Sequence, residues 1–133
     1  MALVVTRHAD FVELRLLTDW DVRLQRELES EVLGLAAVGA RSFAVNLLGV
    51  SHIQYRVLPE LLGLHRQVRQ LGGSLVVVGP SPYLLDILAA GDVPRQIPVF
   101  PSEASAALGI DSTSAAFDLT AQEGERRGSG LLV

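Results

Sequence analysis

The sequence predicts an α/β domain on a mixed, mostly parallel sheet with about four helices, in the order ββαβαβαβα. Three observations carry this reading. Short apolar runs alternate with amphipathic stretches, and a helix between successive strands requires crossover connections. The runs at residues 42–50 and 74–79 are apolar on both alternations, as a strand covered on both faces must be. The chain is 49% hydrophobic but only 5% aromatic, so its core is aliphatic, which suits a sheet with helices packed on it.

The first two strands are residues 3–6 and 11–17, separated by Arg7-His8-Ala9-Asp10. In the second, Val12, Leu14 and Leu16 share one face and Glu13 and Arg15 the other, which predicts a hairpin with one wet face. Thr18-Asp19-Trp20-Asp21 follows, and any of its short polar side chains can accept from free N–H groups at a helix start. Leu24, Leu28, Val32, Leu35 and Val38 then recur every three or four residues, with Arg23, Gln25, Arg26, Glu27, Glu29 and Glu31 between them. That spacing predicts an amphipathic helix ending near Gly39.

After the strand at 42–50, Val57, Leu61, Leu64, Val68 and Leu71 form the strongest helical stripe of the chain, stopped by Gly72-Gly73. Residues 74–79 are the next strand. Ser81 then reads as an N-cap with Pro82 as first helical residue, and Leu84, Leu85, Ile87 and Leu88 continue to Gly91. Residues 97–100 make a short strand. Ser102 and Glu103 open a fourth helix containing Ala104, Ala107 and Leu108. The domain is expected to end near residue 110, with 111–133 as a flexible tail, since Glu123 to Gly130 is polar and glycine-rich.

A chain of 133 residues fits one domain with a sizeable core. The formal net charge of −4 argues against nucleic acid as partner, since phosphate binding needs a basic face. Cysteine is absent, which removes disulfides, thiolate chemistry and Cys-ligated zinc. His8, His52 and His65 lack the helical i, i+4 or His-x-His spacing of a metal site, so no metal is expected. Gly79 and Ser81 lack the Gly-rich run and lysine of a phosphate loop. No nucleophile–base or paired-carboxylate spacing stands out, so neither enzymatic activity nor a cofactor is expected. No signal peptide follows from the first ten residues and no apolar run reaches the roughly 18 residues of a membrane span, so the expectation is a cytoplasmic protein without direct membrane insertion.

Over about residues 3–109 the succession of elements resembles the STAS domain family, shared by anti-sigma-factor antagonists and sulfate transporter tails. Family members have a Gly-x-Leu-Asp segment before the first helix, where Thr18-Asp19-Trp20-Asp21 stands here and keeps the final Asp. They then have a strand reading Asp-Leu-x-x-Val and a helix start reading x-x-Ile-Asp-Ser-x-Gly. Here these are Asn46-Leu47-Leu48-Gly49-Val50 and Ser51-His52-Ile53-Gln54-Tyr55-Arg56-Val57. Gly79-Pro80-Ser81-Pro82 is similar to the family's turn before the third helix.

The resemblance implies a non-enzymatic regulator that binds a protein at the start of its second helix: an anti-sigma kinase-like ATPase or another STAS protein, with a homodimer as a further possibility. In antagonists of the family the serine at that helix start is a phosphorylation switch. A phosphate there adds roughly −1.5 to −2 charges and changes which partner fits. Here the matching position is Tyr55, its neighbouring acid is Gln54, and the acidic strand position is Asn46, so the serine switch does not carry over. Pro59 would clash with the carbonyl of residue 55 inside a helix, which puts Tyr55 at the cap or before it. Ser51, His52, Gln54, Tyr55 and Arg56 are therefore the expected partner-binding residues, because exposed Tyr and Arg are enriched among binding hot spots. Trp20 stands where the family has Leu and is expected in the core or as a lid. Two further readings stand beside this one: an accessory subunit gripping an ABC-transporter ATPase, and a small-molecule sensor using the loop from Gly49 to Arg56.

Overall fold

The computed structural model describes residues 2–101. Strands β1 (Leu3–Arg7) and β2 (Val12–Leu16) pair antiparallel, Leu3 opposite Leu16 and Arg7 opposite Val12. Strands β3 (Ser42–Asn46), β4 (Ser74–Val78) and β5 (Val99–Phe100) add in parallel, giving the spatial order β1-β2-β3-β4-β5. Helices α1 (Val22–Ala37), α2 (Val57–Gln70) and α3 (Pro82–Ala90) are the crossovers, followed by a 3-10 turn at Val93–Arg95. The α/β class and the order ββαβαβαβ match the expectation. The fourth helix expected at 102–108, the boundary near 110 and the tail at 111–133 lie outside the described residues.

The strands add in one direction, so right-handed crossovers put every connecting helix on one face. Leu14 and Leu16 of β2, Phe43 and Val45 of β3, and Leu75 and Val77 of β4 accordingly share one core with Leu28, Leu61, Leu64 and Leu84 of the helices. The opposite face carries Glu13, Ala44, Asn46, Val76 and Val78, and these are buried too. The expected wet face of the hairpin is thus wrong at Glu13. β2 is an interior strand, and the Glu13 carboxylate is paired: it accepts from Asn46 Nδ2, with His8 Nε2 at 3.5 Å and Arg15 at 3.7 Å.

Asp21 is the N-cap of α1, its carboxylate accepting from the Leu24 N–H at 2.9 Å. The α1 stripe runs Leu24, Leu28, Val32, Ala36 rather than on to Val38, which is 74% exposed. Gln25, on the expected polar side, is fully buried because it accepts from the indole N–H of buried Trp20 and donates to Glu29, both at 3.0 Å. In α2, Val57, Leu61, Leu64 and Val68 are buried as expected, while Leu71 lies just past the helix and is exposed. Ser81 caps α3, accepting from Leu84 N–H at 3.2 Å, with Pro82 at the first helical position.

The turn from α2 into β4 is closed tightly. A Cβ on Gly73 would sit 2.4 Å from the Arg41 carbonyl oxygen, which also accepts the Ser74 N–H at 2.7 Å. Backbone cannot yield as a side chain can, so Gly73→Ala should cost about 2–3 kcal/mol, read as a lower urea midpoint at unchanged slope.

His65 is half-buried, and its Nδ1 has no hydrogen-bond partner. Burial holds its pKa below 6.5, and Arg69 and Arg66 depress it further. The unfolded chain therefore binds more protons as pH falls past about 6.5, so this group's stability contribution is present above that value and lost below it. Wild-type stability should rise between about pH 5.5 and pH 7.5 by more than that of His65→Gln, and parallel profiles would contradict this.

Candidate functional site

Strands β3 and β4 run parallel and end on the same side, so their following loops are brought together. The β3 loop is built from the sheet outward. Asn46 is fully buried; its amide donates to Glu13 and its carbonyl accepts from the Leu48 N–H at 2.9 Å. The chain turns at Leu47 to Val50, closed by a bond from Val50 N–H to the Leu47 carbonyl at 3.0 Å. Val50 and Ile53 then point inward and are buried.

The middle of the loop is clamped by backbone. Trp20 and Ile53 form a parallel bridge in which Trp20 N–H donates to the His52 carbonyl and Gln54 N–H to the Trp20 carbonyl, both at 2.9 Å. Trp20, buried beneath, is the expected core residue. With Val50, Ile53 and Val57 pinned inward, Ser51, His52, Gln54, Tyr55 and Arg56 are all left exposed. Arg56 is the N-cap residue of α2 and supplies no side-chain cap bond. Tyr55 precedes it, as Pro59 requires.

Two side chains tie this loop to α3. Tyr55 Oη donates to the Ala90 carbonyl, at the last residue of the helix, at 3.1 Å. His52 Nδ1 lies 2.8 Å from the Tyr83 hydroxyl in the first turn of α3, and the two rings stack with centroids 5.9 Å apart. Tyr55 is thus neither free nor merely laid over an apolar edge: its hydroxyl is engaged while 61% of the residue remains exposed. Tyr83 and Leu48 are exposed as well, so the loop and the start of α3 present aromatic and aliphatic surface together. Gly79, between β4 and α3, makes room for this: its φ is +78° and a Cβ there would meet Leu48 Cγ at 2.8 Å.

Tyr83 and Leu48 are absent from the sequence-based set. Ser81-Pro82 places Tyr83 in the first turn of α3, but only the parallel adjacency of β3 and β4 sets that turn beside the β3 loop. Asn46 behaves differently from the exposed five: it supports the loop from below. Among the described residues no three His, Asp or Glu side chains gather as a metal site requires, and no helix is long and apolar enough to cross a membrane.

This geometry is that of a known fold. The family model for the STAS domain matches residues 2–106, and the chain belongs to that family. Among solved structures it is similar to a putative anti-sigma factor antagonist from Thermotoga maritima, with a TM-score of 0.68 at 15% identity over 79% of this chain and 91% of that one. It is similar to the anti-sigma factor antagonist SpoIIAA of Bacillus in its unphosphorylated form, with a TM-score of 0.65 at 16% identity over 83% and 96%. It also resembles part of the murine solute carrier 26 member A9 anion transporter, with a TM-score of 0.62 at 15% identity over 81% of this chain and 19% of the transporter. At such identities the likeness shows the fold. No curated protein matches by sequence.

Proposed function

We propose that this chain is a non-enzymatic regulator acting in partner switching, and that it binds a protein through the surface made by Ser51, His52, Gln54, Tyr55 and Arg56 together with Tyr83. The observation that carries this is the exposed His52–Tyr83 and Tyr55–Ala90 arrangement, held rigid by the Trp20–Ile53 bridge. Rigid aromatic side chains offer large contact area at small ordering cost, and Tyr and Arg dominate binding hot spots. The partner of this reading is a kinase-like anti-sigma ATPase or a second STAS protein. Since Tyr55 stands where antagonists of the family carry serine, binding is constitutive with respect to serine phosphorylation at that position.

The test is affinity capture on the full chain from its native lysate, with Tyr55→Ala and Arg56→Ala combined as the control. Recovery of a histidine-kinase-like ATPase or a STAS protein with wild type, and its loss with the variant, is expected. Recovery of an ABC-transporter ATPase would instead support the accessory-subunit reading, which the fold's occurrence within an anion transporter keeps in view. Equal recovery by both proteins would sink the assigned surface.

A further inference from the structure

β1 is the terminal strand of the sheet, and its outer edge is uncovered among the described residues. Natural edge strands are usually guarded by lysine, proline, a bulge or extreme shortness. The opposite edge, β5, is guarded by being two residues long. β1 is five residues, Leu-Val-Val-Thr-Arg, with continuous register to β2 and its only charge at the end.

The hydrogen-bond phase of the hairpin says which backbone groups face outward. Leu17 N–H donates to the Ala2 carbonyl and His8 N–H to the Phe11 carbonyl. In an antiparallel pair the bonded positions alternate, so residues 2, 4, 6 and 8 bond inward to β2. The N–H and C=O groups of Leu3, Val5 and Arg7 are therefore the ones turned to the open edge. Leu3, Val5 and Arg7 are cross-strand partners of Leu16, Leu14 and Val12, so all three side chains lie on the helix-covered face.

Beside that edge is a groove of about 330 Å³ lined by Ala2, Leu3, Val5, Glu27, Ser30 and Glu31. Glu27 and Glu31 are exposed, and neither they nor Arg7 take part in the ion pairs found among the described residues. Within one chain, no ion pair joins Arg7 to Glu27 or Glu31 among the described residues.

We infer that a second copy of this chain docks antiparallel along β1, about a two-fold axis through Val5. Val5 then faces the second copy's Val5, and Leu3 faces the second copy's Arg7. These are the positions whose backbone groups are turned outward in both copies, so the Val5–Val5 pair and both Leu3–Arg7 pairs exchange hydrogen bonds. A slip by one residue would set outward groups against inward ones and lose the ladder. The same pairing sets the second copy's Arg7 on the helix face directly opposite Leu3, beside the Glu27 and Glu31 carboxylates. Because the contact is isologous it closes both free edges at once and stops at a dimer. The β1 edge lies at the opposite side of the sheet from α3, so the dimer leaves both partner-binding surfaces open. It does not rest on the function proposed for that surface.

The experiment is sedimentation velocity of the full chain over a concentration series. A short strand-to-strand contact is below the standard interface size, so a monomer–dimer equilibrium with a dissociation constant of about 1–100 μM is expected. Val5→Pro removes an outward N–H while leaving the β2 bonds intact, a position where an edge strand tolerates proline, and should abolish the dimer. Arg7→Glu should weaken it at least about tenfold by facing like charges. Adding Glu27→Arg and Glu31→Arg to Arg7→Glu should restore it, an outcome that loss of folding cannot imitate. A wild type that stays monomeric throughout, or a dimer indifferent to Arg7→Glu and to its compensation, would overturn the inference.

Discussion

Trp20→Ala is expected to lower the unfolding free energy by about 4–8 kcal/mol, a large share of what a domain of this size possesses. Two losses add. Removing a fully buried indole leaves a cavity worth about 3–5 kcal/mol. The Gln25 carbonyl, itself buried, then loses the donor that satisfies it, which costs a further 1–3 kcal/mol or so. Trp20→Phe keeps most of the apolar volume and should cost only about 1–2 kcal/mol through the lost N–H. Urea denaturation followed by far-ultraviolet circular dichroism separates the cases, since tryptophan fluorescence disappears with the chain's single Trp. Near-wild-type stability of Trp20→Ala, which keeps the backbone bridge to Ile53, would mean that the buried indole and its bond to Gln25 contribute little to the fold.

Asn46→Asp should destabilise the fold by about 3 kcal/mol at neutral pH, although it restores the residue type the family carries there. The new carboxylate would keep the bond from Leu48 N–H but turn its second oxygen towards the Glu13 carboxylate, which now accepts from the Asn46 amide. Arg15 at 3.7 Å offsets only part of this, being itself partly exposed. Two buried carboxylates in contact hold a proton in the folded state that the unfolded chain releases, so one folded pKa lies above its unfolded value of about 4. The variant is therefore penalised little below about pH 4, and increasingly as pH rises above it. The difference in urea midpoint between variant and wild type should widen from about pH 4 to about pH 7. A constant difference would show that the carboxylate introduced at position 46 does not share a proton with Glu13.

These two residues also mark how far a single sequence can be read. The stripe Val57, Leu61, Leu64, Val68 and the Ser81-Pro82 start were legible because local spacing and capping chemistry decide them. Alternation puts Glu13 on a wet face because it reports which residues share a face and not whether that face is covered. Helical spacing puts Gln25 on the polar side of α1, since its partner, Trp20, lies outside the helix and the pairing appears only in three dimensions. Val38 continued a period that the Gly39 turn, at φ +110°, had already ended. At the candidate site, Pro59 places Tyr55 at or before the helix cap from sequence alone, whereas the inward Val50 and Ile53 that leave its neighbours exposed are seen only in the fold. Tyr83 required the parallel adjacency of β3 and β4, a nonlocal fact. The hydroxyl bonds of Tyr55 and Tyr83 likewise depend on where α3 lands.

The central claim, that a protein partner docks on the His52, Tyr55 and Tyr83 surface, is tested most directly by calorimetric titration of the captured ATPase or STAS protein into the full chain. His52→Ala, Tyr55→Ala and Tyr83→Ala, each checked for an unchanged urea midpoint, are compared with wild type. At least two of the three should weaken binding by about tenfold or more, as buried aromatic anchors do. Full affinity when His52→Ala, Tyr55→Ala and Tyr83→Ala are combined in one chain, with its fold intact, would contradict the account.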